Sequence, residues 1–294
     1  MINPLSAWIV GRAVIDTVLI VLWGALGSLA VAAPRPLSDV IGRQLSGLSL
    51  CSIALLALAV PAVLAAQVAI LADGWRGMLD PQIVRSFLLV TGPGHAWLAL
   101  AAGVFLLGLA RFLAAERRGL MALFAGLSLA SLALTGHAVM NTGPISALHA
   151  GFDVLHVLSA GAWLGGLVAF VGVMRAAGEA DCRSLAVIAL RRLSTFGHVA
   201  VALVLLSGVA NTLLVVGHLP LDLRSPYQVK LLVKIGLVAL MTLAAVFNRY
   251  VLVPLLQRDR ARAVRALKAG AVFEIALGII AVVLVAAFGT QDPA

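Results

Sequence analysis

Charged side chains are scarce in this chain of 294 residues, since only 11% are Asp, Glu, Lys or Arg and 62% are hydrophobic. Soluble domains carry roughly a quarter charged residues, so the composition excludes an ordinary soluble domain. Only two cysteines are present, Cys51 and Cys182, without Cys-x-x-Cys spacing, and we expect them in different parts of the molecule. No phosphate-binding loop and no nucleophile constellation occurs, so neither ATP-driven pumping nor an enzymatic activity is expected.

Basic residues outnumber acidic ones and give a formal net charge of +9. They lie in the connections between long apolar segments, which the positive-inside rule explains without a nucleic-acid partner. Fifteen of the 21 basic residues fall in alternate connections: Arg35, Arg43, Arg111, Arg117, Arg118, Arg175, Arg183, Arg191, Arg192, Arg249, Arg258, Arg260, Arg262, Arg265 and Lys268. We therefore predict that these connections are cytoplasmic and that both termini are periplasmic.

Eight apolar segments are long enough to cross a lipid bilayer as helices. They span residues 8–32, 45–71, 92–113, 119–140, 145–174, 193–217, 228–253 and 269–290. The sequence thus predicts an all-α, polytopic membrane protein of about eight transmembrane helices, with residues 1–294 forming a single helical membrane domain. Between the second and third spans, Asp80 and Pro81 are typical of the N-cap and first turn of an amphipathic interfacial helix.

Polar groups concentrate in residues 135–166, between long apolar flanks, where ionisable side chains are costly and indicate function. His149, Asp153 and His156 are spaced i, i+4 and i+7, so they share one face of a helix. We expect Asp153 to orient an imidazole and to be a candidate partner for Lys234 in the seventh span, although Lys234 could instead reach backbone carbonyls.

Two further ligand types end the predicted fourth span, namely His137 and Met140. Asn141 to Pro144 is turn chemistry, so a tight hairpin would bring both toward His149. Imidazole and thioether together favour a copper ion as Cu(I) or Cu(II), with His95 at the start of the third span as a further ligand. With the predicted topology, five of the six histidines (His95, His137, His149, His156 and His218) lie at or near the outer face.

The stretch LHVLSAGAWLGGL, together with TGHA (135–138), RRLS (191–194), SGVANTLLVVG (207–217) and residues 225–254, resembles the copper resistance protein D (CopD) family of bacterial inner-membrane proteins. The likeness is clearest over about residues 130–254. It implies an eight-helix protein of copper uptake across the inner membrane, assisted by a periplasmic copper-binding protein of the CopC type. Carried over by motif, it marks His137, His156 and Lys234 as family positions.

Two alternatives remain open at this point. Histidines on adjacent helices can also ligate haem, so the alternative to copper is a b-type haem protein of electron-transfer or porphyrin-oxidase-like activity, with His137 and His156 as axial ligands. No ladder of ligands reaches the cytoplasmic side, so a protein that binds copper without transporting it also fits the sequence.

Overall fold

The computed structural model describes residues 3–135, 144–289 and 291, and this part of the chain is helical without any β-strand. In chain order the helices are α1 (Pro4–Ala32), α2 (Arg35–Gln44), α3 (Ser46–Leu71), α4 (Pro81–Val90), α5 (Gly92–Leu113), α6 (Arg118–Ala133), α7 (Pro144–Ala176), α8 (Arg183–Val216), α9 (Pro226–Phe247), α10 (Val253–Leu255) and α11 (Arg260–Phe288). A 3₁₀ turn covers Gly77–Leu79, and a π-helical turn covers Asn248–Leu252. The predicted all-α polytopic membrane fold is confirmed.

Side-chain caps define where several helices begin. The Asp80 carboxylate accepts the backbone N–H of Gln82 at 2.8 Å, which confirms the predicted cap of α4. Ser225 caps α9 and Asp259 caps α11 in the same way, by accepting backbone N–H groups of their first turns. Each cap satisfies a donor that the helix cannot pair internally, so these residues set the helix starts.

Seven helical segments within the described ranges are long and apolar enough to cross a bilayer: α1, α3, α5, α7, α8, Pro226–Leu255 and α11. The predicted fourth span, 119–140, corresponds to α6, whose 16 residues end at Ala133 rather than at 140. Leu134 and Thr135 form a turn, Arg12 and Thr135 both donate to the Leu132 carbonyl at 3.0 and 2.7 Å, and the rest of the predicted span lies outside the described residues.

The helices α8 and α11 begin at Arg183 and Arg260, ahead of the predicted sixth and eighth spans, which start at 193 and 269. The added segments carry arginines and lie outside the apolar runs, so hydropathy alone does not identify them as helix. The first connection is itself partly helical, as α2. Arg118 at the start of α6 holds α2 by contacting Asp39 at 2.8 Å and Ser38 at 3.2 Å.

Glycines bring α1 and α7 into backbone contact, since small residues let membrane helices approach closely. A Cβ at Gly24 would collide with the Gly161 carbonyl oxygen, and one at Gly165 would lie 2.5 Å from the Ile20 carbonyl oxygen. The Trp23 indole N–H donates to the Leu158 carbonyl oxygen at 2.8 Å across the same contact. The two helices therefore meet at a separation that larger side chains would not permit.

We predict that Gly24→Ala lowers the free energy of unfolding by about 1–3 kcal/mol, the usual cost of overpacking a close contact. The matched control is Gly236→Ala on α9, where an added Cβ meets nothing within 4 Å. Thermal unfolding in detergent measures both. Equal midpoints for the two variants would show that the α1–α7 contact can open without cost.

Candidate functional site

A polar cavity of about 220 Å³ lies where six helix ends meet at one end of the bundle, called the cavity end below. The ends are the starts of α1, α7 and α9 and the final turns of α6, α8 and α11. Its polar lining residues are Trp8, Arg12, Asp16, Thr135, His149, Asp153, His156, Asn211, Thr212, Tyr227 and Lys234. The alternation of starts and ends shows that these helices cross the bundle in alternating directions.

His149, Asp153 and His156 all line this cavity, so the shared face predicted from their spacing is present. His149 is 1% exposed, and its Nε2 lies 3.7 Å from Asp153 Oδ2. That separation is an electrostatic contact rather than a hydrogen bond. Asp153 is also attracted to Lys234, which lines the cavity without forming any of the described ion pairs.

His156 is held by Ser207 of α8, through a 3.0 Å contact between its Nδ1 and the serine Oγ. The Ser207 hydroxyl donates its single proton to backbone carbonyls of α8, with Leu203 O at 2.5 Å. With its proton on Leu203 O, the Ser207 hydroxyl accepts from the imidazole, and this assignment places the proton of the neutral ring on Nδ1. His156 Nε2 is left with a lone pair that can bind a ligand.

Gly208 provides the space for this arrangement, because a Cβ there would lie 3.3 Å from His156 Cε1. The pair Ser207-Gly208 thus supplies both the oxygen that orients the ring and the gap into which the ring fits. Sequence reasoning missed Ser207. The serine lies next to a span glycine within SGVANT, and this is the signal that could have identified it.

Arg12 and Asp16 form an ion pair one turn apart on α1, with the guanidinium Nε 3.0 Å from Asp16 Oδ2. Arg12 also donates to Thr135 Oγ1 at 2.8 Å and to the Leu132 carbonyl, so it ties α1 to the end of α6. Sequence reasoning missed both charges. Their i, i+4 spacing in the first span was the available signal, because a charged pair in a span needs an internal partner.

Two buried polar atoms at the cavity lack a hydrogen-bond partner among the described residues, namely Trp8 Nε1 and Asn211 Oδ1. Such atoms are costly to bury and are normally satisfied by water or a ligand. Asn211 lies on α8 four residues beyond Ser207, on the same side of the helix. The cavity therefore offers an amide oxygen and an imidazole nitrogen as acceptors.

The other predicted ligands are not among the residues that line the cavity in the described part of the chain. His95 is exposed on α5, does not line the cavity, and contacts the Leu89 carbonyl through Nε2 at 3.0 Å. His137 and Met140 lie outside the described residues. Within the described ranges, no group of three or more His, Cys, Asp or Glu side chains is arranged to hold a metal ion.

Two family models match the chain. Residues 1–148 match the "Copper resistance protein D-like, N-terminal domain", and residues 187–288 match "Copper resistance protein D". The chain belongs to the copper resistance protein D family. The first match extends the family likeness to α1 and thus to the Arg12–Asp16 wall of the cavity.

Curated relatives of this family include the inner membrane protein YebZ of Escherichia coli, which is 30% identical over 97% of this chain and 98% of its own length. Copper resistance protein D of Pseudomonas syringae is 37% identical over 68% of each chain. The copper transport protein CutJ of Bacillus subtilis is 32% identical over 75% of this chain and 40% of its own length. No solved structure matches the chain.

We predict that Arg12→Leu destabilises the protein by on the order of 3 kcal/mol, because it leaves Asp16 as an uncompensated buried charge. The double variant Arg12→Leu/Asp16→Leu should recover most of this loss, since both charges are then removed. Chemical or thermal unfolding in detergent measures the two variants. A double variant no more stable than Arg12→Leu would show that the contacts of Arg12 with α6, rather than its ion pair, carry the stability.

Proposed function

We propose that the protein binds a copper ion in the polar cavity and mediates its uptake across the bacterial inner membrane from the periplasmic side, acting as a carrier rather than as an enzyme. The observation that carries this proposal is the cavity itself: an otherwise apolar bundle gathers His149, Asp153 and His156 at one end. Family membership supports copper as the cargo, since two relatives are named for copper resistance and copper transport.

The donor atoms suit a borderline or soft cation better than a hard one. His156 Nε2 carries a free lone pair, His149 is buried in the same wall, and Asn211 offers an oxygen. Imidazole is a preferred ligand of copper in either oxidation state. Asp153 supplies negative charge between His149 and Lys234, which offsets the lysine and lowers the cost of admitting a cation.

His137 and Met140 complete the proposed ligand set, although they lie outside the described residues. Thr135, two positions before His137, and His149, nine positions after Met140, both line the cavity. The thioether of Met140 would favour Cu(I). His95, which contacts the end of α4 instead, is proposed only as an entry ligand outside the cavity.

The size of the cavity favours an ion over a haem group. At about 220 Å³ it is smaller than the roughly 300–1,000 Å³ of pockets that hold drug-sized molecules, and a haem is larger still than most of these. The b-type haem alternative thus requires a larger opening than the described residues provide. We therefore expect the purified protein to show no Soret band.

The cavity end is proposed to be periplasmic. The connections at the opposite end hold most of the arginines, including those that begin α6, α8 and α11. The positive-inside rule places these in the cytoplasm. YebZ is named as an inner membrane protein, which supports the same membrane here. A separate periplasmic copper-binding protein of the CopC type is the proposed donor of the ion.

We predict that His156→Ala abolishes copper binding by the purified protein, because the Nε2 ligand is lost. Ser207→Ala keeps the ligand but releases its orientation, and it should weaken affinity by about 10- to 100-fold. His218→Ala is the matched control, since His218 is exposed and bonded to the Leu219 carbonyl outside the cavity. Copper content after purification from copper-supplemented cells, and titration with Cu(I) and Cu(II), measure all three.

Copper retained in full by His156→Ala would contradict the proposed site. A Soret band in the wild type that disappears in His156→Ala would establish the haem alternative instead. Equal losses in His156→Ala and His218→Ala would indicate a binding site outside the cavity.

For the topology, we predict that alkaline phosphatase fused after Leu221, between α8 and α9, is active. The same enzyme fused after Arg258, between α10 and α11, should be inactive, because alkaline phosphatase folds only outside the cytoplasm. Activity measured in whole cells, normalised to fusion protein level, compares the two. The reverse pattern would place the cavity on the cytoplasmic side and would overturn uptake from the periplasm.

A further inference from the structure

Glu274 is a buried carboxyl that the proposed copper site does not use. It lies at the centre of α11, is 1% exposed, and is about 16 Å along the helix from Val285, the nearest α11 residue of the cavity wall. The other two glutamates, Glu116 and Glu179, are exposed. Burying a carboxyl at membrane depth is costly, so its retention needs a physical explanation.

Only neutral hydrogen-bonding groups surround this carboxyl. Asn248 Nδ2 donates to Glu274 Oε1 at 2.7 Å, and the Trp163 indole is the other polar neighbour. Oε2 has no hydrogen-bond partner among the described residues. None of the described ion pairs includes Glu274. The described residues thus leave Oε2 open to a proton or another cation, which would offset the cost of burying it.

The charged and titratable groups of the helices packed against α11 lie elsewhere. Toward the cavity, α1, α7 and α9 carry Arg12, Asp16, His149, Asp153, His156 and Lys234, all in the cavity wall. Also at the cavity end, Tyr227 packs on Phe288 and Lys230 bonds to Gln291. Toward the opposite end, Arg175, Arg249 and Tyr250 are exposed, and Lys268 is partly exposed at the start of α11.

Close packing around the carboxyl leaves little room for a hydrated metal ion. Glu274 lies between Gly270 and Gly278, one turn away on either side. A Cβ at Gly278 would lie 2.5 Å from Leu164 Cδ1, and one at Gly270 would lie 2.7 Å from Asn248 Nδ2. Leu164 and Asn248 therefore press on α11 directly above and below the carboxyl. A proton needs no extra space and no further ligands, whereas a copper ion needs several ligands.

Asn248 connects this carboxyl to the end of the bundle opposite the cavity. It is partly exposed and opens the π-helical turn Asn248–Leu252, whose next residues, Arg249 and Tyr250, are exposed. Single π-helical turns are rare and occur frequently at functional sites. The Asn248 amide packs against Gly270 and bonds to Glu274, so it lies between the buried carboxyl and the partly exposed start of this turn.

We propose that Glu274 is a proton-binding site inside the bundle, which exchanges its proton with water that reaches it past the Asn248 side chain from the end opposite the cavity. The O–H bond forms at Oε2 with a proton from water at that end, and it breaks when the proton returns there. The ionised form keeps the hydrogen bond from Asn248 and the nearby Trp163 indole. The site is separate from the copper cavity and does not depend on the function proposed above.

Infrared spectroscopy of the full chain in lipid nanodiscs, without copper and with ¹³C-labelled glutamate carboxyls, tests the proposal. We expect one buried carboxylic C=O band that converts reversibly to carboxylate bands as pH changes and that shifts on transfer to D₂O. Glu274→Gln should remove the band, whereas the surface control Glu179→Gln should retain it. A wild type without a pH-dependent band, or a Glu274→Gln variant that keeps it, would overturn the proposal.

Should Glu274→Gln fail to fold, variants that keep the carboxyl decide the question. Asn248→Leu should slow the exchange of the Glu274 proton in D₂O several-fold, because the polar side chain between the carboxyl and the surface is gone. The matched control Asn211→Leu, on α8 at the cavity, should leave that rate unchanged. Identical exchange in Asn248→Leu and the wild type would show that the proton does not pass by way of Asn248.

Discussion

The backbone contact between α1 and α7 is the constraint on which the rest of the bundle depends. Gly24, Gly161 and Gly165 remove the side chains that would hold the two helices apart, and Trp23 closes the contact with a hydrogen bond. In a bilayer, lipid competes equally well for apolar surface, so close packing and internal hydrogen bonds must supply the association. Because α1 and α7 both contribute to the cavity, their separation also sets its width.

Polar side chains in the bundle follow one physical rule, since each must find its partner within the protein. At the cavity end, Arg12 satisfies Asp16, Thr135 and the carbonyl that ends α6, and Ser207 satisfies His156. Asn211 Oδ1 and the His156 Nε2 lone pair are left open to a ligand. The same interactions that stabilise the helix ends therefore also leave polar acceptors at the cavity wall.

The bundle contains two polar centres, which lie at different depths. The cavity collects histidines at one end, whereas Glu274 lies near the middle and is linked by Asn248 to the other end. On α7, Trp163 follows His156 by seven residues on the same face, about 10 Å deeper, and reaches the Glu274 carboxyl. The helix α7 thus contributes side chains to both centres, so a small shift of α7 would move a side chain at each of them.

The sequence by itself determined the membrane class, the apolar spans and the shared face of His149, Asp153 and His156, because these follow from hydropathy, charge distribution and helical periodicity. It also located the cap at Asp80, which is a local feature. Tertiary structure alone decided the early end of α6, the fixed tautomer of His156, the separation of His95 from the cavity and the pairing of Glu274 with Asn248. Each of these depends on which distant helix comes within about 3 Å of a given atom, as in the Arg12 contact with Thr135, 123 residues away in sequence, and periodicity carries no information about such contacts.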